Sequence, residues 1–238
     1  MTMRAFVDIE TVPPDERFRN RITQKVIQEL ERKGSQFTSE QVDQLIDERF
    51  RQLALKAEYG RVLTVGVTIE QRDEIVVNGV LGMDPKTRRF HLEEARLLRS
   101  FWNLLRKFDR NHDLIIGHNV FDFDLLFLYK RSIINSVKPT VELSFARYRS
   151  QPIYDTMCEW ERWGRNRISL AELAEVLHLE SSKVNGLDGS RVYDYFREGR
   201  HEEIADYCRR DVALVRDIYY RMKFLSLCMP KGHMSASA

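Results

Sequence analysis

Acidic side chains occur in this sequence at positions where the neighbouring residues are apolar. Asp8 and Glu10 lie in the run of residues 3–10, which has the composition of a buried strand. Asp211 lies on the apolar seam of a predicted helix, where a spacing of three and four residues calls for a hydrophobic side chain. Buried carboxylates are costly unless a cation accompanies them. These acids therefore indicate a site for divalent cations, with an ion pair to an arginine as the alternative for Asp211.

The spacing of Asp8 and Glu10 determines which face of the strand their side chains point to. Residues two apart in a strand point to the same face, so Phe6, Asp8 and Glu10 share one face while Val7 and Ile9 share the other. Two neighbouring carboxylates repel each other unless a cation lies between them. The Asp-x-Glu pattern alone carries little weight, because chance predicts about one in a chain with 36 acidic residues. Its position in an apolar strand gives it weight.

A tyrosine precedes the acid of the last helix by one turn. Tyr207 lies four residues before Asp211, on the same side of the helix, so its hydroxyl could reach whatever Asp211 binds. A tyrosine of the hydrophobic core is the alternative interpretation of this spacing.

Two more acids lie in residues 117–128, which follow a short apolar strand and open a helix. Asp122 and Asp124 cannot both face one point, since helix positions two apart diverge. One is therefore a candidate ligand, and the other is a solvated acid favoured by the helix dipole. Asn119 either caps the helix or hydrogen-bonds a substrate. His118 is expected to be structural, because no second histidine lies nearby at metal-binding spacing.

The elements that must position these residues alternate after a hairpin. We expect strands over residues 3–10, 61–70, 73–81, 113–117 and 152–155, two helices within 14–58, and further helices over 92–108, 121–134, around Trp160, 169–177 and 201–227. This order predicts an α/β fold in which a mixed sheet carries helices on its faces. We expect residues 1–228 to form a single domain with a helical insertion over about 14–58. Residues 229–238 are expected to be a flexible tail.

Composition limits the classes of protein to consider. The chain has 238 residues, 43% of them hydrophobic, which suits one generous globular domain. A formal net charge of +2 excludes a surface that is basic all over, so any electrostatic contact with nucleic acid must come from a local group of basic residues. Cys158, Cys208 and Cys228 are too dispersed for a zinc cluster or a disulfide framework. The sequence shows neither a signal-peptide pattern nor an apolar run of membrane length, so we expect a cytoplasmic protein without a membrane partner.

Three motifs together resemble the RNase H-like exonuclease superfamily with Asp-Glu-Asp-Asp sites, and look closest to the proofreading domain of family B DNA polymerases and its stand-alone bacterial relatives. The motifs are Phe6-Val-Asp-Ile-Glu-Thr11, Gly117-His-Asn-Val-Phe-Asp-Phe-Asp124 and Tyr207-Cys-Arg-Arg-Asp211. In the second motif the family's aspartate follows an aromatic residue five positions after the asparagine, which favours Asp124 over Asp122. The resemblance covers residues 3 to about 222 and implies an RNase H-like five-stranded sheet.

The resemblance also implies a mechanism. Asp8, Glu10, Asp124 and Asp211 would bind two Mg²⁺ or Mn²⁺ ions, for which carboxylates are suitable hard ligands. Asp8 would bridge both ions, Glu10 and Asp211 would serve the ion that activates water, and Asp124 would serve the other. Tyr207 would orient the attacking water. The product would be a 5′-mononucleotide removed from the 3′ end.

The substrate follows less directly from the residues. Single-stranded or frayed DNA is favoured; a 3′–5′ exoribonuclease with the same site and a non-catalytic nucleic-acid-binding domain are the alternatives. Thr11, Asn119 and Lys183 are candidate substrate contacts, Lys183 through a phosphate. A histidine-type site is the rival to the third motif, because His201 and Asp206 have its spacing. Asp206 faces away from the apolar seam, so we expect both to be surface residues.

Two segments lie outside the motifs. Residues 145–167 interleave arginines with aromatic residues, a mixture suited to single-stranded nucleic acid. The alternative, preferred for Trp160 and Trp163, is a buried helical face beside solvated arginines. The insertion contains nine basic and nine acidic residues between positions 15 and 58, so it is not a basic clamp. A lid, a partner surface and a dimer contact are all compatible with it.

Overall fold

A mixed five-stranded sheet runs through the part of the chain that the computed structural model describes, residues 2–33, 37–182 and 186–226. Its strands are β1 (Met3–Val12), β2 (Arg61–Gln71), β3 (Glu74–Leu81), β4 (Leu114–Gly117) and β5 (Ile153–Asp155), in the spatial order β3-β2-β1-β4-β5. β2 pairs antiparallel with β1 and β3, whereas β4 lies parallel to β1 and β5. The predicted hairpin and mixed sheet are confirmed.

Helices pack against both faces of this sheet. They are α1 (Arg17–Lys33), α2 (Ser39–Gln52), α3 (Glu94–Leu104), α4 (Asp124–Ile134), α5 (Thr156–Trp160), α6 (Leu170–Val176), α7 (Val192–Arg197) and α8 (His201–Met222), with short 3₁₀ turns at Leu53–Leu55 and Gly189–Arg191. The short helix α7 was not expected from the sequence. Lys183 and residues 229–238 lie outside the described residues, so the expectations about a phosphate contact and a flexible tail remain predictions.

The alternation of side chains along β1 divides the core as expected. Phe6 packs on the α8 side, with its ring centroid 5.7 Å from that of Tyr219. Val7 and Ile9 point to the opposite face and join the core formed with α3 and α4. Because β1 is the central strand, the acids that share the face of Phe6 lie beneath α8.

The helical insertion between the first two strands is present. A capping box opens α2: the Thr38 hydroxyl accepts from the Gln41 backbone, and the Gln41 side chain accepts from the Thr38 backbone. At the other end of α2, Arg51 Nη2 lies 2.7 Å from the Asp194 carboxylate of α7. The Phe50 and Tyr193 rings lie 6.1 Å apart, edge to face. These contacts fix α2 against α7.

The expectation of two buried tryptophans is only half right. Trp163 packs against the core, with its ring centroid 5.7 Å from that of Phe121. Trp160 is 38% exposed. The cause is the length of α5, which ends at Trp160, so the two tryptophans do not share a helical face. Separately, none of the described helices is long and apolar enough to cross a membrane.

Candidate active site

Several of the predicted acids line one cleft of about 540 Å³. One wall carries Asp8, Glu10 and Thr11 from β1 and Tyr207 and Asp211 from α8. The rest of the lining comes from the end of the helical insertion, from Phe123 and from residues at the start of α7. These residues are Glu48, Arg51, Gln52, Ala54, Leu55, Phe123, Gly189, Ser190 and Tyr193. The insertion therefore borders the acids.

The end of β1 is shaped by an irregularity in its pairing with β2. The register shifts between Glu10 and Thr11, which is where a β-bulge redirects the chain. Glu10 is buried, while Asp8 and Thr11 are half-buried. The bulge leaves all three at the cleft.

A glycine allows α8 to approach the acids of β1. Gly66 of β2 pairs with Asp8, and a methyl group added to Gly66 would lie 2.7–2.8 Å from the side chains of Val212 and Cys208. The Cys208 thiol consequently comes within 3.6 Å of the Asp8 carboxylate. Asp211, three residues farther along α8, is buried at the same cleft. Sequence reasoning missed this approach; a lone glycine within an apolar strand is the signal that could have indicated it.

The second motif places its two aspartates in different surroundings. Asp124 is buried, and its Oδ1 accepts a hydrogen bond of 3.0 Å from the backbone N–H of Ile9. Asp122 instead binds the guanidinium groups of Arg147 and Arg167, at 2.5 and 2.9 Å. Asp124 is thus attached to the strand that carries Asp8 and Glu10, while Asp122 points to a surface.

Another buried acid holds the second motif in place. The Asp155 carboxylate, at the end of β5, accepts hydrogen bonds from the backbone N–H groups of Asn119 and Phe121 and of the first residues of α5, Met157 and Cys158. These bonds are 2.9–3.2 Å long. Sequence reasoning did not predict that Asp155 organises the loop before Asp124.

The other polar residues of that loop have structural partners. Asn119 has a φ of 60°, in the left-handed region that asparagine tolerates better than most residues. It does not cap α4, whose N-cap is Phe123 without a side-chain hydrogen bond. A contact to substrate remains a prediction for Asn119. The His118 Nε2 donates to the carbonyl of Ile168, and its Nδ1 lies 2.9 Å from the Thr156 hydroxyl, as expected of a structural histidine.

The residues of the rival histidine-type site lie elsewhere. Asp206 is exposed and pairs with Arg209. His201 is not the surface residue that we expected: it packs between the rings of Phe90 and Phe196, and its Nδ1 accepts a hydrogen bond from the Phe90 backbone. The described residues that line the cleft include Tyr207 and Asp211 but neither of these two.

Burial and mutual repulsion perturb the acids strongly. Burial raises the pKa of Asp8 and of Glu10 well above the usual values, and the charge of Asp211 raises both further. Burial also raises the pKa of Asp124 above its usual value, although hydrogen bonds from the backbone oppose that change. Burial, followed by the charge of Asp211, raises the pKa of Tyr207. The tyrosine is therefore a neutral phenol at physiological pH.

This arrangement fits hard divalent cations. No lysine, arginine or histidine that the structure describes forms an ion pair with Asp8, Glu10 or Asp124. Asp8 and Glu10 offer oxygens within 4.8 Å of each other and of the Cys208 sulfur. Burial raises the pKa of the Cys208 thiol, so this sulfur is protonated and is not a ligand for such ions. Carboxylates without cationic partners are suitable ligands for Mg²⁺ or Mn²⁺.

The sequence was also compared with known protein families. Residues 53–236 match the model of a family described as a predicted 3′–5′ exonuclease related to the exonuclease domain of PolB. The match covers well over half of the chain. The chain belongs to this PolB-related exonuclease family. Its five-stranded mixed sheet flanked by helices is consistent with an RNase H-like exonuclease fold.

Family membership supports a nuclease of the PolB exonuclease type, for which the substrate is a nucleic acid. Asp124, Tyr207 and Asp211 lie within the matched residues. Asp8 and Glu10 precede them, and β1 brings these two acids to the cleft independently of the match. No curated protein matches the sequence.

Proposed function

We propose that this protein is a metal-dependent 3′–5′ exonuclease that removes 5′-mononucleotides from the 3′ end of single-stranded or frayed DNA. The observation that carries the proposal is one cleft lined by Asp8, Glu10 and Asp211, with Asp124 hydrogen-bonded to the strand that bears the first two. Membership of the PolB-related family supports the direction of degradation and favours DNA over RNA.

The four carboxylates would hold two Mg²⁺ or Mn²⁺ ions. Such a pair of ions, when bound, stabilises both the attacking and the leaving oxygen of an in-line displacement at phosphorus. The backbone of Ile9 keeps the Asp124 carboxylate oriented, and the bulge at Glu10 and Thr11 sets the direction of the neighbouring acid. These contacts keep the donor oxygens in place when the repulsion between them is greatest.

Three further side chains have roles in handling the substrate. Tyr207 lines the cleft as a neutral phenol, so its hydroxyl can donate a hydrogen bond that orients the attacking water. Thr11 lines the same cleft, which supports it as a contact to the terminal nucleotide. Asn119 lies next to the loop that Asp155 holds and is the second candidate for that contact.

The test is degradation of a 5′-labelled single-stranded DNA oligonucleotide with Mg²⁺ or Mn²⁺. We expect a ladder of shortened products, and a rate at least about 100-fold lower for Asp8→Ala and for Asp211→Asn, because each change removes a carboxylate oxygen that would hold a metal ion. Asp206→Asn is the matched control: it neutralises an exposed acid of the same helix and should keep the wild-type rate.

Two results would contradict the proposal. Undiminished cleavage by Asp8→Ala or Asp211→Asn would exclude the carboxylate site. Faster degradation of a matched RNA oligonucleotide than of the DNA would show that RNA is the preferred substrate and that the enzyme is an exoribonuclease.

A further inference from the structure

Arginine and aromatic side chains cover a surface formed by two segments, residues 145–149 and 160–167. Four of the exposed side chains are Tyr148, Arg149, Arg162 and Arg165, and we call this set the arginine–aromatic surface. Neither segment contributes a residue to the lining of the catalytic cleft. The exonuclease chemistry proposed above therefore does not explain why these side chains are exposed together.

Contacts between aromatic rings hold the two segments together. Phe121 lies in the turn before α4. Its ring centroid is 5.8 Å from that of Phe145 and 5.7 Å from that of Trp163, and both pairs are edge to face. The Tyr148 ring lies 5.6 Å from the Trp163 ring. The surface is thus built on a packed aromatic base, and Phe121 connects it to the second motif.

Ion pairs attach the same two segments next to the acids of the cleft. Arg147 from one segment and Arg167 from the other bind the two oxygens of Asp122. Asp122 is two residues from Asp124, so their Cα atoms are at most about 7 Å apart. The surface therefore adjoins the segment that carries Asp124.

The remaining arginines have their charge available. Arg149, Arg162 and Arg165 are exposed, and none of the three forms an ion pair with any residue in the described ranges. The formal net charge of the whole chain is only +2. Residues 145–167 contain five arginines and three acids, so the stretch is locally basic, and these three arginines are its members without an ion-pair partner in the described ranges.

Tyr148 presents its ring to solvent in an unusual backbone conformation. Its side chain is 76% exposed, and its φ of 63° lies in the left-handed region, which a bulky residue rarely adopts. Its contact with Trp163 supports the ring from one side. With 76% of the side chain exposed among the described residues, the ring can stack against a flat ligand group.

We propose that the arginine–aromatic surface binds the single-stranded part of a nucleic acid on the 5′ side of the nucleotide held in the cleft. Exposed guanidinium groups bind phosphates, and an aromatic ring stacks on bases of any sequence. The orientation of the strand rests on the proposed function, whereas the binding itself does not. Arg147 and Arg167 position the surface through Asp122 and leave phosphate binding to the three unpaired arginines.

The primary test is binding without cleavage. Fluorescence anisotropy of a labelled oligo-dT of about 15 nucleotides, a length typical of such sites, is measured with the full-length protein in a chelator. The test variant is Arg149→Ala/Arg162→Ala/Arg165→Ala. The control variant is Arg96→Ala/Arg106→Ala/Lys107→Ala, which removes three exposed cations on and after α3.

The salt dependence of binding gives a quantitative expectation. Each phosphate neutralised on a single strand contributes about 0.7 to the slope of log K against log salt, so losing three arginines should reduce that slope by about 2. The control variant should keep the wild-type slope. A wild-type slope in the test variant, or no binding by the wild type, would overturn the proposal.

A second variant separates stacking from charge. Tyr148→Ala should weaken oligo-dT binding about fivefold or more, and Tyr148→Phe should restore it because the ring is retained. Equal affinity of Tyr148→Ala and the wild type would remove this residue from the proposed surface. Thermal unfolding midpoints of all variants should match the wild type, since the changed side chains are exposed.

Activity measurements distinguish this proposal from the proposed function. The arginine variant should show a raised KM for the oligonucleotide but unchanged hydrolysis of thymidine 5′-(p-nitrophenyl phosphate), which is too short to reach the surface. A wild type that binds oligo-dT through these residues but hydrolyses neither substrate would support the surface and reject the exonuclease. Equal KM values for both proteins on the oligonucleotide would count against the surface.

Discussion

At the scale of single residues, the candidate site is defined by like charges kept close together. Asp8, Glu10 and Asp124 have raised pKa values, first because they are buried and then because they face other carboxylates. The same field acts on Tyr207, whose pKa is raised by burial and by the charge of Asp211. Because its pKa is raised, the Tyr207 hydroxyl stays protonated and can donate a hydrogen bond.

The first prediction at this scale concerns Tyr207. Tyr207→Phe should lower kcat for DNA roughly 10- to 100-fold, because the attacking water loses its orientation. KM and the affinity for Mn²⁺ should not change, since no carboxylate is altered. Because burial raises the pKa of Tyr207 above its ordinary value, the wild-type rate should not fall through its ionisation between about pH 7 and 10.

A second tyrosine of the same helix serves as the control. Tyr219→Phe changes a buried ring on α8 that packs on Phe6, and it should leave kcat unchanged. A normal kcat in Tyr207→Phe, measured by steady-state kinetics, would show that the hydroxyl has no part in the reaction.

At the scale of elements, the site depends on how closely α8 crosses the sheet. Gly66 provides the space, and Asp155 fixes the loop that leads into α4. A separate buried cluster attaches the far end of α8: Glu70 of β2 accepts hydrogen bonds from Arg216 and Tyr220, at 2.5 and 2.7 Å. The helix that carries Asp211 is thus held by packing at one point and by polar contacts at another.

Gly66→Ala should push α8 away from β1. A methyl group there would lie closer to Val212 and Cys208 than real side-chain contacts allow. Overpacking of this kind costs about 1–3 kcal/mol, and each kcal/mol lowers the melting temperature by about 2–4 °C in a protein of this size. Activity should fall as well, because Asp211 moves relative to Asp8.

The matched control is Gly79→Ala on β3, where an added methyl group would meet nothing within 4 Å. Calorimetry and exonuclease assays of the two variants check the expectation. Equal melting temperatures and activities would mean that the crossing of α8 is not constrained at Gly66.

At the scale of the whole molecule, the buried acids make stability depend on pH and on divalent cations. The raised pKa of Asp8 means that the folded protein holds this proton more tightly than the unfolded chain. Its contribution to stability is therefore full below about pH 4, the unfolded value, and is lost as the pH rises through the folded value. A bound cation would reverse that loss.

Asp8→Asn should accordingly be more stable than the wild type in a chelator, by at least about 2 °C in melting temperature at pH 8. The difference should shrink as the pH falls towards 4. Added Mn²⁺ should raise the melting temperature of the wild type more than that of the variant. A variant less stable than the wild type at pH 8 in chelator would contradict the electrostatic account.

The sequence by itself determined the elements and the residue types at the site, because both are encoded locally. The alternation in residues 3–10 gave the faces of β1, and the three-and-four spacing gave the buried side of α8. The Thr38–Gln41 capping box that begins α2 is likewise formed by residues close in sequence. Boundaries were less accurate: α4 begins at Asp124 and not at residue 121, because Asp155 binds the backbone before it.

Only the tertiary structure decided which side chains meet. Asp124 turns to β1 through a contact 115 residues away in sequence, and Asp122 turns to Arg147 and Arg167. The approach of α8 over Gly66 and the insertion as a wall of the cleft likewise join distant segments. Local patterns report which face of an element is apolar, but not the distance between two elements. That distance is set by packing, and here it brings carboxylates from β1 and α8 into one cleft.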